Sequence, residues 1–244
     1  MDHSKSIAIS QSNYIPWKGY FDLINSVDEF VIYDDAQFTK RDWRNRNKIV
    51  TNRGLTWLTI PLKVKGNYQQ KVFDMHADGV EWRAKHWETI RHNYSKARYF
   101  HDYKAIFESL YLGSRETKLS LINYAFIAEI NKILGVTTPI LWSSEFCLRG
   151  DASEKLATIC IERNAGSYLS GPAAKSYLRS ELFIENNIEV CWIDYAHYPV
   201  YPQFCNRFDH HVSILDLIFN VGPEAPMHLI GRKTMPVNTS RSFS

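Results

Sequence analysis

Five cations fall within nine residues, Lys40, Arg41, Arg44, Arg46 and Lys48, and Trp43, Asn45 and Asn47 are interleaved among them. Guanidinium forks take phosphate and carboxylate oxygens in two-point fashion. A solvated charge run usually lacks an indole and two amides at its centre, so the stretch is expected to hold an oxyanion. RNA contact would use the same residue types. Just upstream, Asp34 and Asp35 follow the apolar run Phe30–Tyr33. Successive strand residues point to opposite faces, so only one of the two carboxylates should enter a cleft. There it could hold Mg²⁺, orient a ribose or accept a proton, and a capped turn is the alternative.

Three further stretches carry suitable groups. Gln11 and Asn13 follow the apolar run Ile7–Ile9, with Tyr14, Trp17, Lys18 and Gly19 after them. Amides at a strand end can bond a substrate, and a glycine at a helix start lets backbone approach a phosphate. The competing reading is a plain turn with Pro16 opening the helix and Trp17 packed underneath. Ser170-Gly171-Pro172-Ala173-Ala174-Lys175 is a small-residue turn after a short apolar run, able to cradle phosphate but matching neither GxxxxGK[ST] nor GxGxxG. His197 follows the last strong apolar run, in a proline-stiffened loop with Tyr201 and Gln203. Among the nine histidines it is the first choice for proton transfer. Asp216 and Asn220 are placed to support that loop. His86 shares a helix face with Trp82 and is expected to be a satisfied core histidine.

The elements that would position these groups alternate. Ile7–Ile9 and Phe30–Tyr33 read as strands joined by a helix from Gly19 to Ser26. Leu55–Leu62 alternates as a strand after the turn Asn52-Arg53-Gly54, and Lys71–Met75 is a further short strand candidate. Residues 81–135 read as helical, with Gly135 capping a helix from Lys118 to Leu134. Strands at Pro139–Trp142, Ser167–Leu169 and Ile188–Ile193 follow, with a helix from Glu154 to Ala165 capped by Ser153. Val212–Phe219 reads as a short amphipathic helix. Strands separated by helices predict an α/β fold with a mainly parallel sheet and a helical insertion. The divisions are residues 1–80 and 136–230 as two halves of one α/β domain, 81–135 as the insertion, and 231–244 as a flexible tail. Residues 1–5 read as a loose tail.

The net charge of +3 is too small and too evenly spread to imply nucleic-acid binding by itself. No apolar run approaches ~18 residues and the start lacks an apolar signal segment, so a cytoplasmic chain without a membrane span is expected. The four cysteines lack CxxC spacing, and neither HExxH nor paired Cys/His spacing occurs, so reduced thiols and no metal centre are expected.

In combination, QSNYIPWKGYFDLI, VDEFVIYDDAQFTKRDWRNRNKI, LTWLTIPL, YLSGPAAKSYL, YPQF and HVSILDLIFN resemble the WbqC-like family, from Ile7 to about Pro223. Members of that family occur with genes for O-antigen and other surface-polysaccharide synthesis. A more distant similarity, the first loop with GYxxLI and the Gln37-Phe38 pair after Asp35, is to the HxGH nucleotidylyltransferase-like superfamily. It implies a nucleotidylyltransferase/Rossmann-like sheet and a substrate contact at Gln37. The positions of the two motif histidines hold Trp17 and Tyr20, with Gly19 kept.

The resemblance implies a transferase acting on a nucleotide-linked amino sugar, most simply by acyl or aminoacyl transfer to form an amide. Lys40, Arg41, Arg44 and Arg46 would bind diphosphate or the donor carboxylate, and Trp17, Trp43 or Tyr14 would stack on a base or sugar. His197, Asp35 or Asp34 would take the amine proton. The donor is an activated acyl or aminoacyl group, aminoacyl-tRNA included, or a carboxylate activated by ATP and Mg²⁺. An HxGH-like nucleotidylyltransferase, an ATP-dependent amide ligase and a non-catalytic binding protein of the pathway are the alternatives. A homodimer stays open.

Overall fold

The computed structural model describes residues 4–64, 70–204 and 207–231. The chain opens with β1 (Ser6–Ser10), a loop, α1 (Lys18–Asn25) and β2 (Glu29–Ile32). A hairpin follows, β3 (Arg46–Thr51) and β4 (Gly54–Thr59), and then α2 (Glu81–Tyr94), α3 (Phe100–Glu108) and α4 (Leu119–Leu134). The α/β alternation resumes with β5 (Ile140–Trp142), α5 (Ala152–Glu162), β6 (Ser167–Ser170), α6 (Glu181–Ile184) and β7 (Glu189–Trp192). It closes on α7 (Ile214–Val221).

Five strands form one sheet in the order β5-β2-β1-β6-β7, with every pairing parallel. The chain adds β2 and then β5 on one side of β1, and β6 and then β7 on the other. The order therefore reverses between β1 and β6, and at such a point the loops leaving the two strand ends diverge and open a crevice. The period of two divides the apolar residues between two cores. Ala8, Phe30 and Ile32 face α1 and the helices α2 to α4, whereas Ile7, Ile9 and Val31 face α5 and Phe183 of α6.

The α/β class, the mainly parallel sheet and the helical run after residue 81 agree with the sequence reading. Gly135 caps α4 at φ 67°, a left-handed conformation that glycine adopts without steric cost. Other details differ. The end of the cationic run enters β3, which pairs antiparallel with β4 outside the main sheet. The segment expected as a strand at Lys71–Met75 is a single 3₁₀ turn, Val72–Asp74, because only Lys71 forms a bridge, to Gln37. Asp151, rather than Ser153, caps α5 in a reciprocal box with Glu154, while Ser153 Oγ bonds the backbone of Tyr177 and Arg179. Helix α7 is buried all round, Asp216 and Asn220 included. Lys5 is tied down by Glu29 and the Arg163 carbonyl. The expected tail after Gly231, residues 1–3, most of the 63–70 loop and Cys205 lie outside the described residues.

Candidate functional site

The carboxyl ends of β1 and β6 open a cleft of about 340 Å³. Ser10 and Gln11 line it from the first strand, Ser170 and Gly171 from the second, and Tyr33, Ala36, Arg44 and Tyr177 close its sides. Gln11 side-chain atoms have no hydrogen-bond partner among the described residues, and only the backbone carbonyl is used, by Tyr20 Oη at 3.1 Å. A smaller pocket of about 200 Å³ adjoins the cleft, walled by Trp17, Trp43, Pro16, His211, Asn13 and Asn47. Arg44 of the cleft donates from Nη1 to Oδ1 of Asn13 in the pocket, so one side-chain pair forms the boundary between the two. Arg44 Nε is buried without a partner among the described residues. Arg44 Nη2 also lies 3.6 Å from Asp42 Oδ2, so an anion in either cleft would share the guanidinium with that carboxylate.

Helix α4 holds this boundary. Asn123 Nδ2 donates to the Arg44 carbonyl at 2.9 Å and to Ser12 Oγ at 3.0 Å. Ser12 in turn donates from N (2.8 Å) and Oγ (2.6 Å) to Asp34. Burial pushes the Asp34 carboxyl above its ordinary pKa, and the Ser12 bonds offset part of that. Asp34 thus joins the ends of β1 and β2. Asp35 faces elsewhere, accepting from Lys71 Nζ at 2.8 Å and Ser143 Oγ at 2.6 Å. Partial burial would raise its pKa, but the Lys71 and Ser143 bonds outweigh that and hold it below the usual range. Asp35 keeps a quarter of its side chain exposed but does not line the cleft, although Tyr33 and Ala36 near it in the chain do. The two carboxylates bond different partners and share no site, so as a pair they do not fit Mg²⁺. Among the described residues no group of three or more His, Cys, Asp or Glu is gathered for a metal.

The second pocket is aromatic. His211 stacks on Trp17, with centroids 5.2 Å apart and an interplanar angle of 27°. Its Nδ1 lies 3.2 Å from Asp209 Oδ1, and Lys48 Nζ donates to Asp209 Oδ2 at 3.1 Å. Trp43 is 40% exposed and packs on Trp57, whose ring also carries the Arg46 guanidinium at 4.1 Å. Asn47 spends its amide internally: Nδ2 donates to the Tyr14 and Ile15 carbonyls and Oδ1 accepts from Lys48 N. His211 was not singled out by sequence reading, and Asn47 was noted there only as an amide within the cationic run. The only local signal was a histidine two residues after an aspartate.

The remaining sequence candidates scatter. Tyr14 is fully buried, its hydroxyl bonded to His86 at 2.9 Å and to Tyr111 at 2.6 Å. The expectation of a core histidine at His86 holds, and burial lowers its pKa to about 4. Lys18 is 2% exposed, donating to the Pro199 carbonyl at 3.3 Å beneath the Tyr198 ring, and burial lowers its pKa to about 8 against the opposing pull of Asp22. The space a phosphate would take over Gly19 holds the Trp17 indole, since a Cβ at Gly19 would meet it at 2.3 Å. Trp17 packing therefore explains this glycine. Asn45 is buried and donates to the Ile60 carbonyl. Arg41 is exposed with φ 59°, its carbonyl held by Arg46, while Lys40 and Gln37 are exposed on the same loop. Lys175 is exposed near the Trp192 ring. His197 is exposed in a turn at φ 69°, outside the linings of both clefts. Tyr201 and Gln203 turn inward, and Gln203 Nε2 donates to Asp216 at 2.8 Å, so Asp216 does support their loop.

A larger cleft of about 870 Å³ lies between the hairpin turn Asn52–Leu55 and Phe204 with 207–209. It is away from the strand ends where ligands of open parallel sheets sit, so its size does not make it the leading candidate. Among the described residues no helix is long and apolar enough to cross a membrane.

Residues 11–228 match the WbqC-like protein family. The chain is also 47% identical over 225 residues to a protein of Mycobacterium tuberculosis (strain ATCC 25618 / H37Rv) described as "Uncharacterized protein Rv1507c", covering 92% of this chain and 97% of that one. No solved structure matches the chain significantly. The matched span contains the aromatic pocket, the Asn123 clamp and all of the switch-point cleft's lining except Ile9 and Ser10, and the chain belongs to the WbqC-like family, which is implicated in O-antigen and lipopolysaccharide pathways.

Proposed function

We propose that this protein is a transferase of surface-polysaccharide synthesis that acylates or aminoacylates the amino group of a nucleotide-linked sugar. The observation that carries the reading is the pair of adjoining clefts with Arg44 at their boundary. Together their volumes suit a bipartite small molecule, within the roughly 300–1,000 Å³ usual for such sites. Arg44, whose guanidinium lies at the boundary beside Asn13 and Asp42, is our candidate for the diphosphate that joins the two parts. The strand order, which reverses beside β1, supports a Rossmann-like reading of the sheet. Nucleotidylyl transfer has less support, because the Trp17 indole fills the space over Gly19 where that chemistry would bring phosphate.

In this reading the neutral amine attacks the carbonyl carbon of the activated acyl or aminoacyl donor. The N–C bond forms and the donor's leaving group departs with its bonding pair. The proton leaves nitrogen during the addition, when the nitrogen becomes acidic. Asp35, next in the chain to Ala36 of the cleft though outside its lining, is our candidate acceptor, and His197 on its exposed turn is the second. Aminoacyl-tRNA is among the donors, and a cytoplasmic setting follows from where nucleotide sugars and tRNA are found together.

The test incubates the protein with a panel of nucleotide-linked amino sugars and acyl or aminoacyl donors, and reads amide formation by mass spectrometry. An amide product that Asp35→Asn slows at least tenfold supports the reading. Tight binding of a nucleotide sugar with no product from any donor would leave a binding protein in its place.

A further inference from the structure

The two clefts differ in what they can satisfy. The switch-point cleft offers Ser10, Gln11, Tyr33, Ser170, Tyr177 and Arg44, a set of hydroxyls and amides suited to a polyol. The aromatic pocket offers far less. The Asn47 amide is saturated by two carbonyls and a backbone N–H, and Asn13 Oδ1 is taken by Arg44. What remains is Asn13 Nδ2, the second ring nitrogen of His211, the Trp43 indole and the part of Trp17 that His211 leaves uncovered.

A hexose placed there would bury several hydroxyls against two available partners, and each unpaired polar group costs the full desolvation penalty. A nucleobase has the opposite balance, with apolar faces for the Trp43 indole and the stacked Trp17–His211 pair and a short polar edge for Asn13 and the His211 nitrogen. Arg44, which lines the switch-point cleft and bonds Asn13 of the pocket, then meets the phosphates at the boundary.

We propose that the pocket between Trp17 and Trp43 is a nucleobase subsite, and that a nucleotide-linked ligand lies with its base there, its phosphates on Arg44 and its sugar in the switch-point cleft. The proposal rests on the reading above only in taking the ligand to be nucleotide-linked.

Titration calorimetry on the full chain tests it, using the uridine, cytidine, adenosine and guanosine 5′-diphosphates with ribose 5-phosphate as the probe lacking a base. Trp43 is 40% exposed, so Trp43→Ala should leave the fold intact, and a thermal melt checks this. At least one nucleoside diphosphate should bind the parent about tenfold or more tighter than ribose 5-phosphate. Trp43→Ala should remove that difference without changing ribose 5-phosphate binding, and Trp43→Phe should restore part of it. No binding of any nucleoside diphosphate to the parent, or unchanged binding to Trp43→Ala, would overturn the proposal. Trp43-dependent binding with no amide formed from any nucleotide sugar would leave the subsite standing and remove the transferase. Amide formation indifferent to Trp43 would do the reverse.

Discussion

Arg44 donates through Nη1 to the side-chain oxygen of Asn13, and that pair forms the wall between a hydroxyl-lined cleft and an aromatic pocket. Arg44 leads into β3 and Asn13 follows β1, so two separate parts of the chain meet there. Asn123 on α4 fixes both, through the Arg44 carbonyl and Ser12 Oγ.

Asn123 lines neither cleft, yet its loss should reach both. Asn123→Ala leaves the Arg44 carbonyl without that donor and frees the loop after β1. Stability should fall by about 2–3 kcal/mol, and affinity for a nucleotide sugar should fall with it. Urea unfolding and calorimetry on one preparation separate the two effects.

Asp34 is 1% exposed and accepts both donors of Ser12. Asp34→Asn can accept only one of them and turns an amide donor against the other. A cost of about 2–4 kcal/mol in denaturant unfolding is expected, from a residue that sequence reading offered as a catalytic carboxylate.

Gly19→Ala sets two effects against each other. Alanine favours the helix by up to about 1 kcal/mol, but its Cβ would overlap the Trp17 ring, and overpacking costs about 1–3 kcal/mol. Net destabilisation is expected, together with a change in tryptophan fluorescence as Trp17 leaves His211. A gain in stability with unchanged fluorescence would contradict the packing account of this glycine.

Asp216 is fully buried between Tyr94 and Gln203, and burial raises its pKa from 3.8 to about 6, with the hydrogen bonds opposing. The folded value lies above the unfolded one, so the associated stability is fully present below pH ~4 and is lost as pH rises through 6. The span is on the order of 3 kcal/mol. Unfolding free energies measured from pH 4 to 7 should carry this falling component, and Asp216→Asn should lack it.

The strands and the main carboxylates were legible because they depend on local pattern. Ile7–Ile9 and Phe30–Ile32 are apolar runs ended by polar residues, and Asp34 and Asp35 bond different partners as alternation implies, although neither lines either cleft. What the chain order hides is which strands become neighbours. β6 settles beside β1 more than 150 residues after it, bringing Ser170 to Gln11. His211 meets Trp17 in the same non-local way. Tyr14 shows the limit of residue type: a tyrosine suited to stacking spends its hydroxyl on His86, 72 residues further along. Gly19 shows another, since a helix-start glycine looks alike whether phosphate or an indole covers it.

The central claim is that Arg44 holds the phosphates of a ligand spanning both clefts. It is tested most directly by the dissociation constant of a nucleotide-linked amino sugar for the parent, Arg44→Lys and Arg44→Ala. A charge-assisted bidentate contact is worth about 1.5–3 kcal/mol, so Arg44→Ala should weaken binding about ten- to a hundredfold. Arg44→Lys should recover little, because a point charge cannot bond Asn13 and phosphate together as the guanidinium fork does. Equal affinity in all three proteins, with the parent binding measurably, would contradict the account.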